Sequence, residues 1–352
     1  MIHKTLSPSH GRPVSADINL LGRGKHAGRI LVPDSRNDGA WSQLAIPVVT
    51  VASGDGPTSL ALAGNHGDEY EGQIAVLRLA QELSAEAVHG RLIFVPCLSM
   101  RASRKSTRLW PSGANFNRLF NGHTGDRPEH LLAEYLANEV FPVVDTVFDI
   151  HSGGRSLLFH PMTTMTHDAS RSHPTPQRTR MIDAMLAWNA DFHMSYAGRG
   201  QSGLLPQEAE RQGKVVITGE MGGGGIHTRP QAQRTYQGLR NVLRFLGHLD
   251  EAIVTRASLG LPDTVVLRAD GADNTLLAPS SGLFEVLVHP GERVTAGQPV
   301  GRIYFQERPD WKPERVTSRI DGVVAAIRSM PATTQGDALV TIGEVCDRSD
   351  VE

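Results

Sequence analysis

The sequence predicts an α/β protein, a mixed sheet flanked by helices over residues 1–260, followed by a small all-β domain over 261–352. Three observations predict it. A chain of 352 residues exceeds what one core comfortably serves, so two domains are expected. Up to Leu249, short apolar runs alternate with amphipathic segments of helical spacing, the pattern of a parallel or mixed sheet covered on both faces. From about Asp263 onward no segment carries helical spacing, and short β-like runs are separated by glycine and proline turns.

The elements follow in order. Residues 1 to about 40 are polar and turn-rich and read as a β extension. Leu44–Val51 and Thr58–Ala63 are apolar runs joined by the turn Ser53-Gly54-Asp55-Gly56-Pro57, which predicts two short strands. Glu71–Leu83 has helical spacing, with Ile74, Leu77 and Leu79 on or near one face. A strand over Arg91–Pro96 leads into a long loop, Leu98–Arg127, then a helix over Glu129–Val140 and a buried strand over Asp145–Ile150. Helices are expected over Gln177–Ala190, Ser202–Gln212 and Gln231–Leu249, with a strand at Lys214–Thr218 and a glycine loop at Met221–Gly225. The domain boundary falls near Leu259-Gly260-Leu261-Pro262, and the β runs beyond it are Thr264–Arg268, Gly282–Val288, Gln298–Phe305, Gly322–Ile327 and Ala338–Ile342.

Composition narrows the function. With 35 basic and 37 acidic residues, the chain gives no electrostatic footprint for nucleic acid or an anionic membrane. No apolar stretch approaches the ~20 residues needed to span a bilayer, and the amino terminus lacks the apolar core of a signal peptide. A cytoplasmic protein is therefore expected. Cys97 and Cys346 form neither a CxxC pair nor a disulfide framework, and Cys97 reads as a core thiol.

Four motifs carry chemistry. In Gly64-Asn65-His66-Gly67-Asp68-Glu69, a strand ends and a helix begins, and residues three apart share a helical face. An imidazole of His66 and a carboxylate of Glu69 then make two zinc ligands, although HxxE alone is short enough to arise by chance. Asp149-Ile150-His151-Ser152-Gly153-Gly154 follows a buried strand, whose carboxyl end is where open α/β sheets build sites. Asp149 leaves the strand on the side of His151 and suits a carboxylate that orients a ligand imidazole. Glu220 ends another strand before Met221 and four glycines. Two histidines and a glutamate leave the fourth zinc position open, and Glu220 is the candidate to move the proton of water there. In Asn115-Phe116-Asn117-Arg118, the arginine can grip a carboxylate with its planar fork.

Together these motifs resemble the succinylglutamate desuccinylase/aspartoacylase family, a branch of the zinc carboxypeptidase fold, over most of residues 30 to 250. The resemblance implies one zinc per chain on His66, Glu69 and His151, with Glu220 as general base. It implies substrate binding by Asn115, Asn117 and Arg118, with Arg118 on the carboxylate. It also implies an upstream arginine that polarises the scissile carbonyl, for which Arg101, Arg104 and Arg108 compete and Arg108 is favoured. Within the family, the wording of these stretches is similar to the N-acetyl-diaminobutyrate deacetylases of ectoine degradation.

The C-terminal segment, with Val288-His289-Pro290-Gly291-Glu292-Arg293-Val294 and Ala296-Gly297-Gln298-Pro299-Val300-Gly301, resembles the barrel-sandwich hybrid of biotinyl and lipoyl carriers. Lys312, between Trp311 and Pro313, lacks the carrier context, so the domain reads as a lid or assembly module. The expected activity is zinc-dependent hydrolysis of the amide of a small N-acyl amino acid, with no nucleic-acid or membrane partner and a homo-oligomer left open. Aspartoacylase or desuccinylase activity, a metallocarboxypeptidase and a non-catalytic binding protein are the alternatives.

Overall fold

The computed structural model describes residues 14–122, 125–167, 175–197 and 203–352. Residues 1–13 of the expected N-terminal extension and the Ser202 start of an expected helix lie outside them.

At the centre are parallel strands in the spatial order Gly90–Val95, Thr58–Ala63, Thr146–His151 and Val215–Glu220. Thr58–Ala63 and Thr146–His151 are buried at every position, as strands covered on both faces must be. Because the strands run the same way, their carboxyl ends share one edge. Ala63 lies opposite Ile150, and Glu220 opposite His151. Helices Glu71–Glu82, Pro128–Tyr135, Pro176–Leu186, Leu205–Arg211 and Arg229–Phe245 accompany the sheet.

The remaining strands make the sheet mixed. Gly39–Ser53 pairs antiparallel with both Gly90–Val95 and Gly24–Arg36, so the expected β extension and the Leu44–Val51 run form the two arms of a hairpin longer than the sequence predicted. Its outer strand has a single short inward-facing set, Ile30, Val32 and the charged Asp34, so alternation is masked by polar neighbours. On the other side Met162–His167 runs antiparallel to Val215–Glu220, and Phe192–Ala197 runs parallel to Met162–His167. Neither strand was expected. Both are rich in Met, Thr, Ser and His, and they bury polar groups by pairing them, as Thr163 Oγ1 does with His193 Nδ1 at 3.0 Å.

The helix at Glu71–Glu82 differs from expectation in its inner face. Gly72, Ala75, Val76 and Leu79 are buried, whereas Leu77 is 44% exposed. The small residues allow close approach to the sheet, since a Cβ at Gly72 would lie 2.8 Å from Ile150. The long loop after Leu98 contains the short helix Met100–Arg104, and the Pro128–Tyr135 helix continues into a wider π turn over Leu136–Val140.

The segment around Leu259–Pro262 connects the Arg229–Phe245 helix to strand Val265–Ala269, which pairs in parallel with Phe192–Ala197. The sheet thus continues across the expected boundary and on through Ala338–Val345 to Gly322–Arg328. A small antiparallel sheet, formed by Gly282–Val286, Pro299–Tyr304, Glu314–Thr317 and Ala332–Thr333, packs with these last strands around Phe284, Ile303, Val324, Leu339 and Ile342. Among the described residues no helix is long and apolar enough to cross a membrane.

Candidate metal centre and substrate cleft

The carboxyl edge of the central strands gathers the motifs. Gly64 turns the chain out of Thr58–Ala63 with φ +61°, a left-handed conformation, in a place where a Cβ would lie 2.8 Å from Cys97 Sγ. The turn delivers His66 and Glu69 to the end of Thr146–His151. Three ligand atoms, one each from the buried His66, Glu69 and His151, lie within 4.8 Å of one another. His66 Nδ1 is 2.7 Å from Glu69 Oε1, and His151 Nδ1 is 2.8 Å from Oε2.

The outer nitrogens of both rings are held. His66 Nε2 is 3.1 Å from Asn115 Oδ1 and His151 Nε2 is 2.9 Å from Asp149 Oδ2. Each oxygen accepts an Nε2–H, which leaves each Nδ1, facing one oxygen of Glu69, as the nitrogen available to a metal. Asp149 is fully buried and also accepts from Asn65 Nδ2 at 3.1 Å. Burial opposes ionisation of Glu69, but the flanking imidazoles outweigh it and hold the carboxyl well below its usual range. Burial likewise opposes charge on His151, and Asp149 and Glu69 raise it well above the usual imidazole value. A dense negative field around two imidazoles is the environment in which a divalent cation is stabilised.

Glu220 sits in register with His151, so its side chain leaves the sheet toward the same point. Its Oε2 is buried and has no hydrogen-bond partner among the described residues. Burial pushes this carboxyl up to about 8, against the opposing pull of His151. The glycines after it are a docked loop rather than a loose turn. Gly222 O accepts from Gly153 N and Phe159 N, both at 3.0 Å, and a Cβ at Gly223 would meet Leu157 O at 2.4 Å.

A cleft of about 480 Å³ opens over these groups. Its wall includes Arg108 and Arg118. Arg108 Nη1 donates to Glu69 Oε1 at 3.1 Å. Of its sequence competitors, Arg101 is tied to the buried Asp34 and Arg104 is exposed away from the cleft. Arg118 Nη1 donates to Asn117 O at 2.7 Å, and among the described residues it makes no ion pair with an acid. Burial first, then the Arg108 charge, pull its pKa down. Two neighbouring guanidiniums in a cleft make a seat for an anion.

Within the Asn115-to-Arg118 element the roles divide. Asn115 turns its side chain to His66 and to Asn117 N rather than into the cleft wall. Asn117 does line the cleft, and its Oδ1 accepts from Leu205 N at 2.9 Å. The structure adds cleft residues that the sequence did not single out: Gln207 and Glu210 on the Leu205–Arg211 helix, Tyr196, and Asn274 with Thr275 from the C-terminal region. No local motif marks them, because they reach the cleft through tertiary packing alone.

A buried His–Glu–His set able to hold a metal, facing an unpartnered glutamate oxygen beneath an anion-binding wall, defines an amide-hydrolysing enzyme. The chain belongs to the succinylglutamate desuccinylase/aspartoacylase family, whose catalytic-domain model matches residues 55–246. It is 33% identical over 340 residues to the N-α-acetyl-L-2,4-diaminobutyric acid deacetylase of Halomonas elongata, covering 95% of this chain and 96% of that one. The product-bound structure of the ectoine utilization protein EutE (DoeB) from Ruegeria pomeroyi superposes with a TM-score of 0.88 at 32% identity, over 96% of this chain and 100% of that chain. A succinylglutamate desuccinylase/aspartoacylase from Rhodobacter sphaeroides gives a TM-score of 0.89 at 33% identity, over 95% and 99%.

Proposed function

We propose that this enzyme hydrolyses the acetamide of N-α-acetyl-L-2,4-diaminobutyrate in ectoine breakdown, releasing acetate and 2,4-diaminobutyrate. One zinc ion per chain would be held by His66, Glu69 and His151. The observation that carries the reading is full-length similarity to a deacetylase of that name, joined to an intact donor set in this chain. Two imidazole nitrogens and a carboxylate fit zinc and leave a position open to substrate. Bound there, zinc would supply Lewis-acid polarisation of the acyl carbonyl and would acidify water at the site.

The side chains supply the rest. Glu220 takes the proton of the attacking water and returns it to the departing amine. Arg108 donates to the carbonyl oxygen as it gains negative charge. Arg118 grips the α-carboxylate, with Asn117 fixing the loop that carries it, so the amide is presented in one orientation. Asp149 and Asn115 hold the ligand imidazoles by their outer nitrogens.

The chain is read as a catalytic unit over 1–260 and a β unit over 261–352 that has its own core cluster and narrows the cleft through Asn274 and Thr275. That wall favours a free N-acyl amino acid over a peptide. The test is acetate release by zinc-loaded protein from N-α-acetyl-L-2,4-diaminobutyrate, N-acetyl-aspartate, N-succinyl-glutamate and a short peptide. Preference for the first is expected. Preference for another acyl amino acid would discard the substrate while keeping the site, and cleavage of the peptide alone would overturn the reading.

A further inference from the structure

The substrate reading puts the amide at the metal centre and the α-carboxylate on Arg118, and leaves the side-chain ammonium without a partner. The floor of the cleft lies beyond those two points. Glu220 and Thr218 alternate onto one face of strand Val215–Glu220, and Thr218 lies opposite Thr164. Thr166 follows on the same face, opposite Tyr196, and all four residues line the cleft together with Glu220. We propose that this floor receives the amino-acid side chain of the substrate and that Tyr196 Oη accepts a hydrogen bond from its terminal ammonium; this rests on the substrate reading above.

The floor offers lone pairs rather than protons. Thr218 Oγ1 donates to Thr164 O, which leaves Thr164 as the donor in the 3.0 Å contact between the two Oγ1 atoms. Both protons are thereby committed within the sheet, and the oxygens remain. An ammonium brings three donors and no acceptor, which suits such a surface. Tyr196 Oη has no hydrogen-bond partner among the described residues. Burial first, then the charge of Glu220, push the phenol's pKa up. The hydroxyl therefore stays neutral, and the negative potential that resists its ionisation also attracts a cation. Tyr196 is two strands across from Glu220, so a substrate whose amide lies beside Glu220 extends its side chain over the threonines toward the phenol.

Other side chains fit this floor less well. Among the described residues lining the cleft, the guanidiniums are Arg108 and Arg118, which the reaction uses on the carbonyl and the α-carboxylate. Arg178, on the Pro176–Leu186 helix, donates to Thr166 O and Val351 O at 2.9 Å each and does not line the cleft. A second carboxylate on the floor would meet oxygen lone pairs and the charge of Glu220, and that repulsion discriminates as effectively as attraction does. A purely aliphatic side chain would cover the same oxygens without giving them a donor.

The test compares kcat/KM for N-α-acetyl-L-2,4-diaminobutyrate with that for N-acetyl-L-2-aminobutyrate, which lacks only the ammonium, in wild type and in Tyr196→Phe. The wild-type preference for the cationic compound should fall in the variant by about tenfold to a hundredfold, the range for one hydrogen bond to a charged group. Turnover of the neutral compound should change little. Because the readout is a ratio within one protein, a general loss of folded enzyme cancels. An unchanged ratio in Tyr196→Phe, including an equal loss on both compounds, overturns the assignment while leaving the substrate reading intact. A wild type with no preference for the cationic compound overturns the substrate reading and this inference together.

Discussion

Replacing Glu220 with glutamine preserves the side-chain shape and removes the proposed proton acceptor. The structure makes this substitution unusually clean. Oε2 has no hydrogen-bond partner among the described residues, so no ion pair or donor is orphaned by the change. Burial pushes the carboxyl up to about 8, which puts its proton affinity near that of a base working at neutral pH. The charge of a metal at the neighbouring ligands works the other way and favours the carboxylate. General-base catalysis contributes about 10² to 10⁴ in rate, or roughly 3 to 5 kcal/mol of barrier. Glu220→Gln should therefore lower kcat for acetate release by that factor while KM and zinc content stay close to wild type. The assay is steady-state acetate release alongside metal analysis of the same sample. A variant keeping more than about a tenth of wild-type kcat, or losing activity only in proportion to lost zinc, would refute the base assignment.

Two further outcomes are expected. Asp149→Asn removes the charge that orients His151 Nε2–H, and zinc affinity should drop by about tenfold to a hundredfold in competition with a chromophoric chelator; unchanged affinity would make Asp149 a packing residue only. His248 donates Nδ1–H to His89 O at 3.0 Å and receives Ser59 Oγ–H on Nε2 at 2.7 Å, and burial holds its pKa down to about 4 from 6.5. The folded state thus prefers the neutral ring, so this contribution is complete above pH 6.5 and is lost as pH falls toward about 4. At pH 5 the loss is about 2 kcal/mol. Urea unfolding of wild type and His248→Gln at pH 8 and pH 5 should show the difference between them shrinking by that amount, and a pH-independent difference would count against it.

The site was legible where chemistry is local. His66 and Glu69 sit three apart on one turn, and His151 and Glu220 each end a buried apolar run, so strand ends alone brought them to the same edge. The central strands were legible for the same reason, since Thr58–Ala63 and Thr146–His151 are continuous apolar runs. What escaped depends on partners distant in sequence. Met162–His167 and Phe192–Ala197 look polar because groups such as Thr163 Oγ1 and His193 Nδ1 meet only after the strands have paired. Choosing among Arg101, Arg104 and Arg108 required the position of Asp34, which occupies Arg101 from another element. Glu210 gave no local signal, being one of two glutamates in an ordinary short helix, and only tertiary packing brings it to the cleft wall.

The most direct measurement is zinc titration of chelator-stripped protein, following acetate release from N-α-acetyl-L-2,4-diaminobutyrate. Activity should be abolished by stripping, rise in proportion to added zinc and level off at one equivalent per chain, with His151→Ala showing no recovery over that range. Undiminished acetate release from stripped protein, or full recovery in His151→Ala at one equivalent, would contradict a catalytic metal on His66, Glu69 and His151.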